Sequence, residues 1–230
     1  MIRLHITAEG QTEELFVNQI LANHLGSFDI STDVRCVMTS RDKRRQDKIF
    51  RGGMTNYAKA KNDILQWLKE EIHNTDVFFT TMFDFYALPD DFPCYKEATK
   101  VTDPYKQVKI IEDAFKEDIG DGRFIPYIQL HEYEALLLSK PQAFEIEYFD
   151  QKSGIRELTS LIKSIPNPEL IDGGKNTSPS KRIIKVFPDY EDNKPVIGAM
   201  VAQEIGLAHM LRTCSHFAEW VKKLENLGEK

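Results

Sequence analysis

The sequence predicts an α/β fold: a mainly parallel four-stranded sheet with helices on both faces, followed by a mostly helical C-terminal portion. Apolar strand-like runs alternate with amphipathic helical segments through the first part of the chain, a pattern typical of parallel sheets covered on both faces. Further along, helical stretches follow one another without an intervening strand. We therefore expect residues 1–150 to form the α/β domain and residues 151–230 to form a helical portion packed on it.

Four short apolar runs have the length and composition of strands. The run at 76–83 (DVFFTTMF) is continuously apolar and is bounded by charge, as in strands buried on both faces of a parallel sheet. The predicted strands are residues 2–8, 32–38, 76–83 and 124–130.

Amphipathic segments separate and follow these strands. In the first of them Leu15, Phe16 and Ile20 recur at helical spacing, which indicates one buried helix face. A loop rich in Pro, Gly and Asn at 166–180 divides the C-terminal helices. The predicted helices are residues 12–25, 56–72, 105–117, 153–164, 181–187, 196–206 and 214–227.

The amino-acid composition limits the functions that the chain could have. The 230 residues carry a net charge of −6, so any nucleic-acid contact must come from a local basic face rather than from overall charge. The three cysteines are widely spaced, which predicts neither a disulfide framework nor a zinc site. No apolar run reaches the roughly 18 residues of a membrane span, and no leader pattern opens the chain. We therefore expect a cytoplasmic protein without a membrane partner.

The N-terminal segment carries acids where open α/β sheets place their ligands. Glu9 directly follows the first predicted strand, and Glu13 lies in the first turn of the next helix. The carboxyl ends of strands form the binding edge of such sheets, and Mg²⁺ prefers hard carboxylate oxygens. The alternative is an ordinary helix start, in which Thr12 caps the helix and the helix dipole favours the acids.

Two further predicted strands also end at acids. Asp84 follows the third strand, and Glu132 and Glu134 follow the fourth. Clustered carboxylates repel one another unless a cation or a proton intervenes, so we expect Mg²⁺ or Mn²⁺ at this edge, where an ion polarises a phosphoryl oxygen and activates water. The alternative is that Asp84 and Glu132 cap the turns or helices that follow them.

Two ring-bearing residues lie beside these acids. Tyr86, two residues after Asp84, could orient water or a phosphate, or could be an amphipathic ring at the edge of the core. His131 directly precedes Glu132 and could act as a proton shuttle or phosphate contact. The alternative for His131 is a structural hydrogen-bonding role.

Two basic segments are candidate phosphate contacts. The stretch 41–51 holds six basic residues and ends at Arg51; it could hold a phosphate backbone without reading sequence, or be solvated surface. The segment 178–182 (SPSKR) opens a helix, where N–H groups together with Lys181 and Arg182 would suit an anion. The alternative for this segment is an ordinary capped helix start.

The motifs resemble a known family. Through these segments the chain is identified as a member of domain-of-unknown-function family 4276, a group of small prokaryotic proteins. Within it, EGQTE at 9–13 with the acid after the third strand resembles the Toprim domain of overcoming-lysogenization-defect nucleases. The matching segments are AEGQTEE (8–14), RGGMTNYAKAKNDI (51–64), DFYALP (84–89), HEYEALL (131–137), SPSKRI (178–183) and CSHF (214–217) with Trp220.

This resemblance implies roles for the acids. Glu9 would be the general base or a metal ligand, and Glu13 and Asp84 would be metal ligands. Tyr86 stands where the Toprim pattern has a second aspartate, so Glu132 or Glu134 would have to supply the missing carboxylate. The resemblance also implies a place in anti-phage defence, often beside an ATPase of the ABC type.

Two functions of different classes follow. The first is a Mg²⁺- or Mn²⁺-dependent nuclease or related phosphoryl-transfer enzyme, with nucleic acid held by Arg51, Lys181 and Arg182. The second is a non-catalytic partner or sensor subunit that binds an ABC-type ATPase or a phage component, which Tyr86 and the negative net charge favour. An accessory domain of a topoisomerase or primase is less well supported, because the chain lacks a recognisable polymerase or strand-passage module.

Overall fold

The computed structural model describes residues 1–42, 48–51, 54–165, 167–171, 174 and 177–228, without the side chains of 38–42 and 48–51. Within these residues no helix is long and apolar enough to cross a membrane.

The main sheet is parallel, and its strand order is β2–β1–β5, with β6 and β7 sharing the position beyond β5. The predicted fold class is thereby confirmed. A separate antiparallel pair, β3–β4, occupies the basic stretch, where charged residues conceal any strand pattern. The strands are β1 (Ile2–Ala8), β2 (Ile30–Cys36), β3 (Met38–Asp42), β4 (Lys48–Arg51), β5 (Val77–Asp84), β6 (Phe124–Ile125) and β7 (Ile128–Gln129).

Helices surround the sheet and fill the C-terminal region. The first continues from α1 through a π-helical turn at Val17–Leu21 into α2. The helices are α1 (Gln11–Phe16), α2 (Ala22–Gly26), α3 (Tyr57–Glu70), α4 (Tyr95–Ala98), α5 (Pro104–Ile119), α6 (Glu134–Leu137), α7 (Lys152–Lys163), α8 (Pro179–Val186), α9 (Tyr190–Ile205), α10 (Leu207–Thr213) and α11 (Ser215–Glu225). Short 3-10 turns lie at Phe85–Ala87, Pro141–Ile146, Pro168–Leu170 and Asn226–Gly228.

The C-terminal helices differ most from the sequence-based expectation. Helix α9 begins at Tyr190 rather than at residue 196, and Pro195 lies inside it. Proline is most common in the first turn of a helix, so Pro195 conceals a helix start that lies five residues before it. Helix α10 fills the stretch between the helices predicted at 196–206 and 214–227, to which no element was assigned.

The fourth strand position is interrupted at Pro126, which has no N–H to donate to a ladder. The hydroxyl of Thr81 on β5 bridges the interruption. It accepts a hydrogen bond from the Tyr127 N–H (3.0 Å) and donates one to the Tyr127 carbonyl (2.9 Å). The predicted strand at 124–130 therefore appears as two short pieces, β6 and β7.

Two hydrophobic cores lie on opposite faces of the sheet, because successive side chains of a strand alternate between faces. Leu4 and Ile6 of β1 pack with α1, α2 and the C-terminal helices. Val77 and Phe79 of β5 pack with α3 and α5. The C-terminal helices therefore share a core with the first strand, while the domain boundary near residue 150 stays a prediction.

Helix α11 is fixed to the sheet by buried polar contacts. The Trp220 indole donates to Thr80 Oγ1 (2.9 Å) and stacks on Tyr127 with ring centroids 4.1 Å apart. The fully buried Glu169 accepts the backbone N–H groups of His216 and Phe217 at the start of the helix, where the helix dipole favours a carboxylate. These contacts hold the C-terminal helices in a defined position against β5.

His216 adds a contact whose strength depends on pH. Its Nε2 lies 3.1 Å from both Glu112 Oε1 and the Ile128 carbonyl. Burial lowers the pKa of the ring, but the carboxylates of Glu112 and Glu169 together with this carbonyl outweigh it, so the net pKa is raised.

We expect His216→Gln to lower the free energy of unfolding by about 1–3 kcal/mol near pH 5.5, and by less near pH 8.5. The stabilisation is fully present below the unfolded-state pKa of about 6.5 and is lost as pH rises through the higher folded-state pKa. Urea denaturation at both pH values measures it. The matched control is His73→Gln, at an exposed position; an equal loss for His216→Gln at both pH values would contradict the expectation.

Candidate functional site

The ends of β1, β5 and β7 meet at one edge of the sheet. In the parallel register Ala8 lies opposite Met82, and Asp84 lies opposite Gln129. Glu9 extends β1 by one step, since its N–H donates to the Met82 carbonyl (3.1 Å). The backbone N–H of Asp84 then donates to Glu9 Oε2 (3.0 Å), which ties the two strand ends together through the carboxylate.

A cavity of about 320 Å³ opens at this edge. Five carboxyl groups and one ammonium group line it, so its charge is strongly negative when the acids are ionised. The lining residues are Glu9, Gly10, Thr12, Glu13, Asp84, Tyr86, Ala87, Glu132, Glu134 and Lys194. The structure thus gathers all five acids that the sequence analysis singled out.

Glu13 serves both the cavity and the start of α1. Its Oε2 accepts the N–H of Gly10, the residue before the helix, at 2.9 Å. The side chain is almost fully buried. One oxygen of Glu13 thus serves the helix start, as the helix-start alternative expects of the acids, but the N-cap is Gly10 and not Thr12. Glu13 also lines the cavity.

Glu132 likewise has two roles. Its Oε2 accepts the Ser180 N–H (2.7 Å) at the start of α8, so it contacts the start of a helix remote in sequence rather than capping the turn or helix that directly follows it, and it also lines the cavity. At Ser180 the start of α8 therefore already meets an internal carboxylate. This differs from the expectation of an N-terminus open to a bound phosphate.

The two residues of α8 that were predicted to contact phosphate, Lys181 and Arg182, are not among those that line the acidic cavity. The Lys181 ammonium lies 3.3 Å from Glu191 Oε1, and the Arg182 Nε donates to the Thr177 carbonyl (2.6 Å). Arg182 lines a different cavity, between α7 and α8. Among the predicted phosphate contacts, the side chain of Arg51 lies outside the described residues.

Lys194 is a site residue that sequence reasoning missed. Its ammonium lies 3.3 Å from Glu134 Oε1, and the Tyr190 hydroxyl donates to the same oxygen (3.4 Å). Both residues belong to α9, whose first turns precede the helix predicted at 196–206. A single lysine among exposed polar residues gives no sequence signal, so only the packing of α9 reveals its place.

Burial and mutual repulsion shift the acids toward their protonated forms. Burial, with the charges of Glu134 and Glu132 adding, raises the pKa of Glu9 to about 7. Burial and the charge of Glu9 raise the pKa of Glu13 to about 8. The pKa of Asp84 is also raised, by burial first and then by the surrounding carboxylates. Protons or a cation are needed to relieve this concentration of negative charge.

The donor set fits an ion that uses few protein ligands. Asp84 Oδ1 is buried and has no hydrogen-bond partner within the described part of the chain. In the same part, no group of three or more His, Cys, Asp or Glu side chains is arranged to hold a metal ion. Mg²⁺ is commonly bound through one or two carboxylates, with water and substrate phosphates completing its shell. A cation held here would therefore need water or substrate oxygens in addition to the carboxylates.

Tyr86 and His131 form a stacked pair at the rim. The rings lie 5.0 Å apart at 28°, and Tyr86 lines the cavity with 36% of its surface exposed. His131 is buried beneath it and is not among the lining residues. The structure thus places His131 behind Tyr86 rather than directly facing the carboxylates.

The family model described as "Domain of unknown function (DUF4276)" matches residues 8–225. Comparisons with curated proteins and with solved structures gave no match. The matched span includes every residue that lines the acidic cavity.

In the absence of divalent ions, we expect the free energy of unfolding to fall as pH rises from about 5 to 8. The folded state holds protons on Glu9 and Glu13 that the unfolded chain has already released, so the slope is negative and approaches about 1.4 kcal/mol per pH unit for each such carboxyl. Glu13→Gln should make the dependence of the unfolding free energy on pH shallower by about the contribution of one carboxyl. Denaturation across the pH range measures this change.

The matched control is Glu14→Gln, because Glu14 is adjacent in sequence but does not line the cavity. A wild-type stability that rises with pH over this range would contradict the assignment of buried, proton-holding acids.

Proposed function

The chain belongs to the domain-of-unknown-function family DUF4276, and from its site we propose that it is a Mg²⁺- or Mn²⁺-dependent phosphoryl-transfer enzyme that acts as a nuclease. The observation that carries this proposal is the gathering of five carboxyls around one cavity, from the ends of β1 and β5, the segment after β7 and the first turns of α1 and α6. Structural acids are usually paired with cations or solvated, whereas here one lysine faces five carboxyls.

Asp84 and Glu13 would hold the ion, because Asp84 Oδ1 is buried without a described partner and both side chains line the cavity. When bound, the ion would polarise a phosphoryl oxygen and lower the pKa of a bound water. Its charge would also offset the repulsion that raises the pKa of these acids.

Glu9 is suited to accept a proton. Its pKa of about 7 lies near a neutral working pH, where a general base is most effective. The hydrogen bond from the Asp84 N–H holds one of its oxygens in place, so the other oxygen can face an attacking water.

Lys194 is suited to contact the phosphate. It is the one ammonium group among the residues that line the cavity, and its contact with Glu134 keeps it at the wall. Positive charge beside a transferring phosphoryl group stabilises the charge that develops there. We therefore assign Lys194 the role that the sequence analysis gave to Lys181 and Arg182.

We also propose a Toprim-like domain and a biological role for the chain. A Toprim-like domain is supported by Glu9 after β1 and by Asp84 at the end of β5, the third strand of the main sheet along the chain. A place in anti-phage defence, with an ABC-type ATPase as partner, is supported by the motif resemblance alone.

A non-catalytic role is the second candidate. The observation that favours it is that no three potential ligands within the described residues form a ready metal-binding group. In that case the same fold would serve as a binding platform for an ATPase.

We expect Glu9→Gln to reduce Mn²⁺-dependent cleavage of nucleic acid by about 10²- to 10⁴-fold, the usual contribution of a general base. Gln keeps the size of the side chain and an acceptor for the Asp84 N–H, so folding should be preserved. Cleavage of labelled single- and double-stranded DNA and RNA measures the effect, with Glu14→Gln as the control that retains activity.

Undiminished cleavage by Glu9→Gln would remove Glu9 from the mechanism. Failure of the wild type to cleave any of these substrates, together with stable association with an ATPase, would favour the non-catalytic platform.

A further inference from the structure

An aromatic side chain is fixed at the rim of the acidic cavity. Tyr86 lies in the 3-10 turn Phe85–Ala87, which directly follows Asp84. It lines the same cavity as Glu9 and Asp84, and 36% of its surface is exposed. An aromatic ring is thereby held two residues from a carboxylate of the site.

The ring is supported from behind. The His131 ring stacks on it at 5.0 Å, and the backbone N–H of Tyr86 donates to the His131 carbonyl (3.1 Å). The adjacent Phe85 is buried and stacks on Tyr95. Both the ring and the backbone of Tyr86 are therefore positioned before any ligand arrives.

His131, whose ring supports Tyr86, has an unusual backbone conformation. His131 has a φ of +62°, a left-handed backbone conformation that residues other than glycine seldom adopt. Such conformations cost free energy and tend to persist at functional sites. Here the turn leaves Leu130 in the core, His131 beneath Tyr86 and Glu132 on the cavity wall. A glycine would adopt this φ without strain but would supply no ring for the stack.

The charge of the site limits how a nucleic acid can bind. Five carboxyls line the cavity against one ammonium group, and the whole chain carries −6. Among the described residues, the lining by itself therefore offers little of the attraction to phosphate groups that drives most nucleic-acid binding. A contact that does not depend on charge would add to what a bound cation and Lys194 contribute.

We propose that Tyr86 is a stacking platform for an unpaired base beside the phosphodiester that enters the acidic cavity. The substrate class is then single-stranded or locally unstacked nucleic acid, a specificity that rests on the proposed function. Bases stack on exposed aromatic side chains in a sequence-tolerant way. Within a duplex both faces of a base are covered by its neighbours, so the base must be unstacked first.

The test uses strands of about twelve nucleotides, a length within the usual site sizes of single-strand binders, each carrying one 2-aminopurine. DNA and RNA versions, their duplexes and an abasic strand of equal charge are compared, with Ca²⁺ replacing Mn²⁺ to prevent cleavage. The proteins are the wild type, Tyr86→Phe, which keeps the ring, and Tyr86→Leu, which removes it. Circular dichroism and thermal unfolding confirm that each variant is folded.

We expect single strands to bind more tightly than duplexes, with quenching of 2-aminopurine fluorescence in the wild type and in Tyr86→Phe. Tyr86→Leu should lose the quenching and weaken single-strand binding by about tenfold, within the range for one base–aromatic stack. Its affinity for the abasic strand should be unchanged. The quenching separates stacking from a purely structural role of the ring.

Equal quenching and affinity in Tyr86→Leu would overturn the proposal, as would a wild type that binds duplexes as tightly as single strands or that binds no strand. The proposed nuclease activity is judged separately. Tyr86-dependent quenching without Mn²⁺-dependent cleavage would retain the platform and reject the nuclease, whereas cleavage that is unchanged in Tyr86→Leu would retain the nuclease and reject the platform.

Discussion

The parallel pairing of β1 with β5 is the constraint on which the candidate site depends. With Ala8 opposite Met82, Glu9 emerges beside the end of β5, where its carboxylate accepts the Asp84 N–H. Two acids remote in sequence are thus brought together at a partly buried edge. Ionised carboxylates in such a place repel one another; Glu13, Glu132 and Glu134 add to this charge and Lys194 offsets part of it.

The C-terminal helices complete the cavity. Helix α9 supplies Lys194, which pairs with Glu134, and the start of α8 takes one oxygen of Glu132. Burial still raises the pKa of Glu9 to about 7 and of Glu13 to about 8. The remaining negative charge is a cost to folding above neutral pH, and a bound cation would offset it.

The sequence was most informative where local patterns determine the structure. Alternating strand and helix patterns predicted the parallel sheet, and strand ends located Glu9 and Asp84. Side-chain direction on a helix depends on tertiary packing. Lys181 and Arg182, predicted as phosphate contacts, contact Glu191 and the Thr177 carbonyl and do not line the acidic cavity.

Two other features could not be predicted because the local sequence conceals them. Pro195 concealed the early start of α9, and with it the position of Lys194. The β3–β4 pair was missed because its strands lie in a charged stretch without alternation.

Titration of the wild type with Mn²⁺ by calorimetry, near pH 7 and in buffers of different ionisation enthalpy, tests the central claim most directly. If the acids are held partly protonated until a cation enters, binding should release on the order of one proton, and Asp84→Asn should abolish the binding. Binding of equal affinity by Asp84→Asn, or binding without proton release, would contradict the claim that this carboxylate cluster is a cation site.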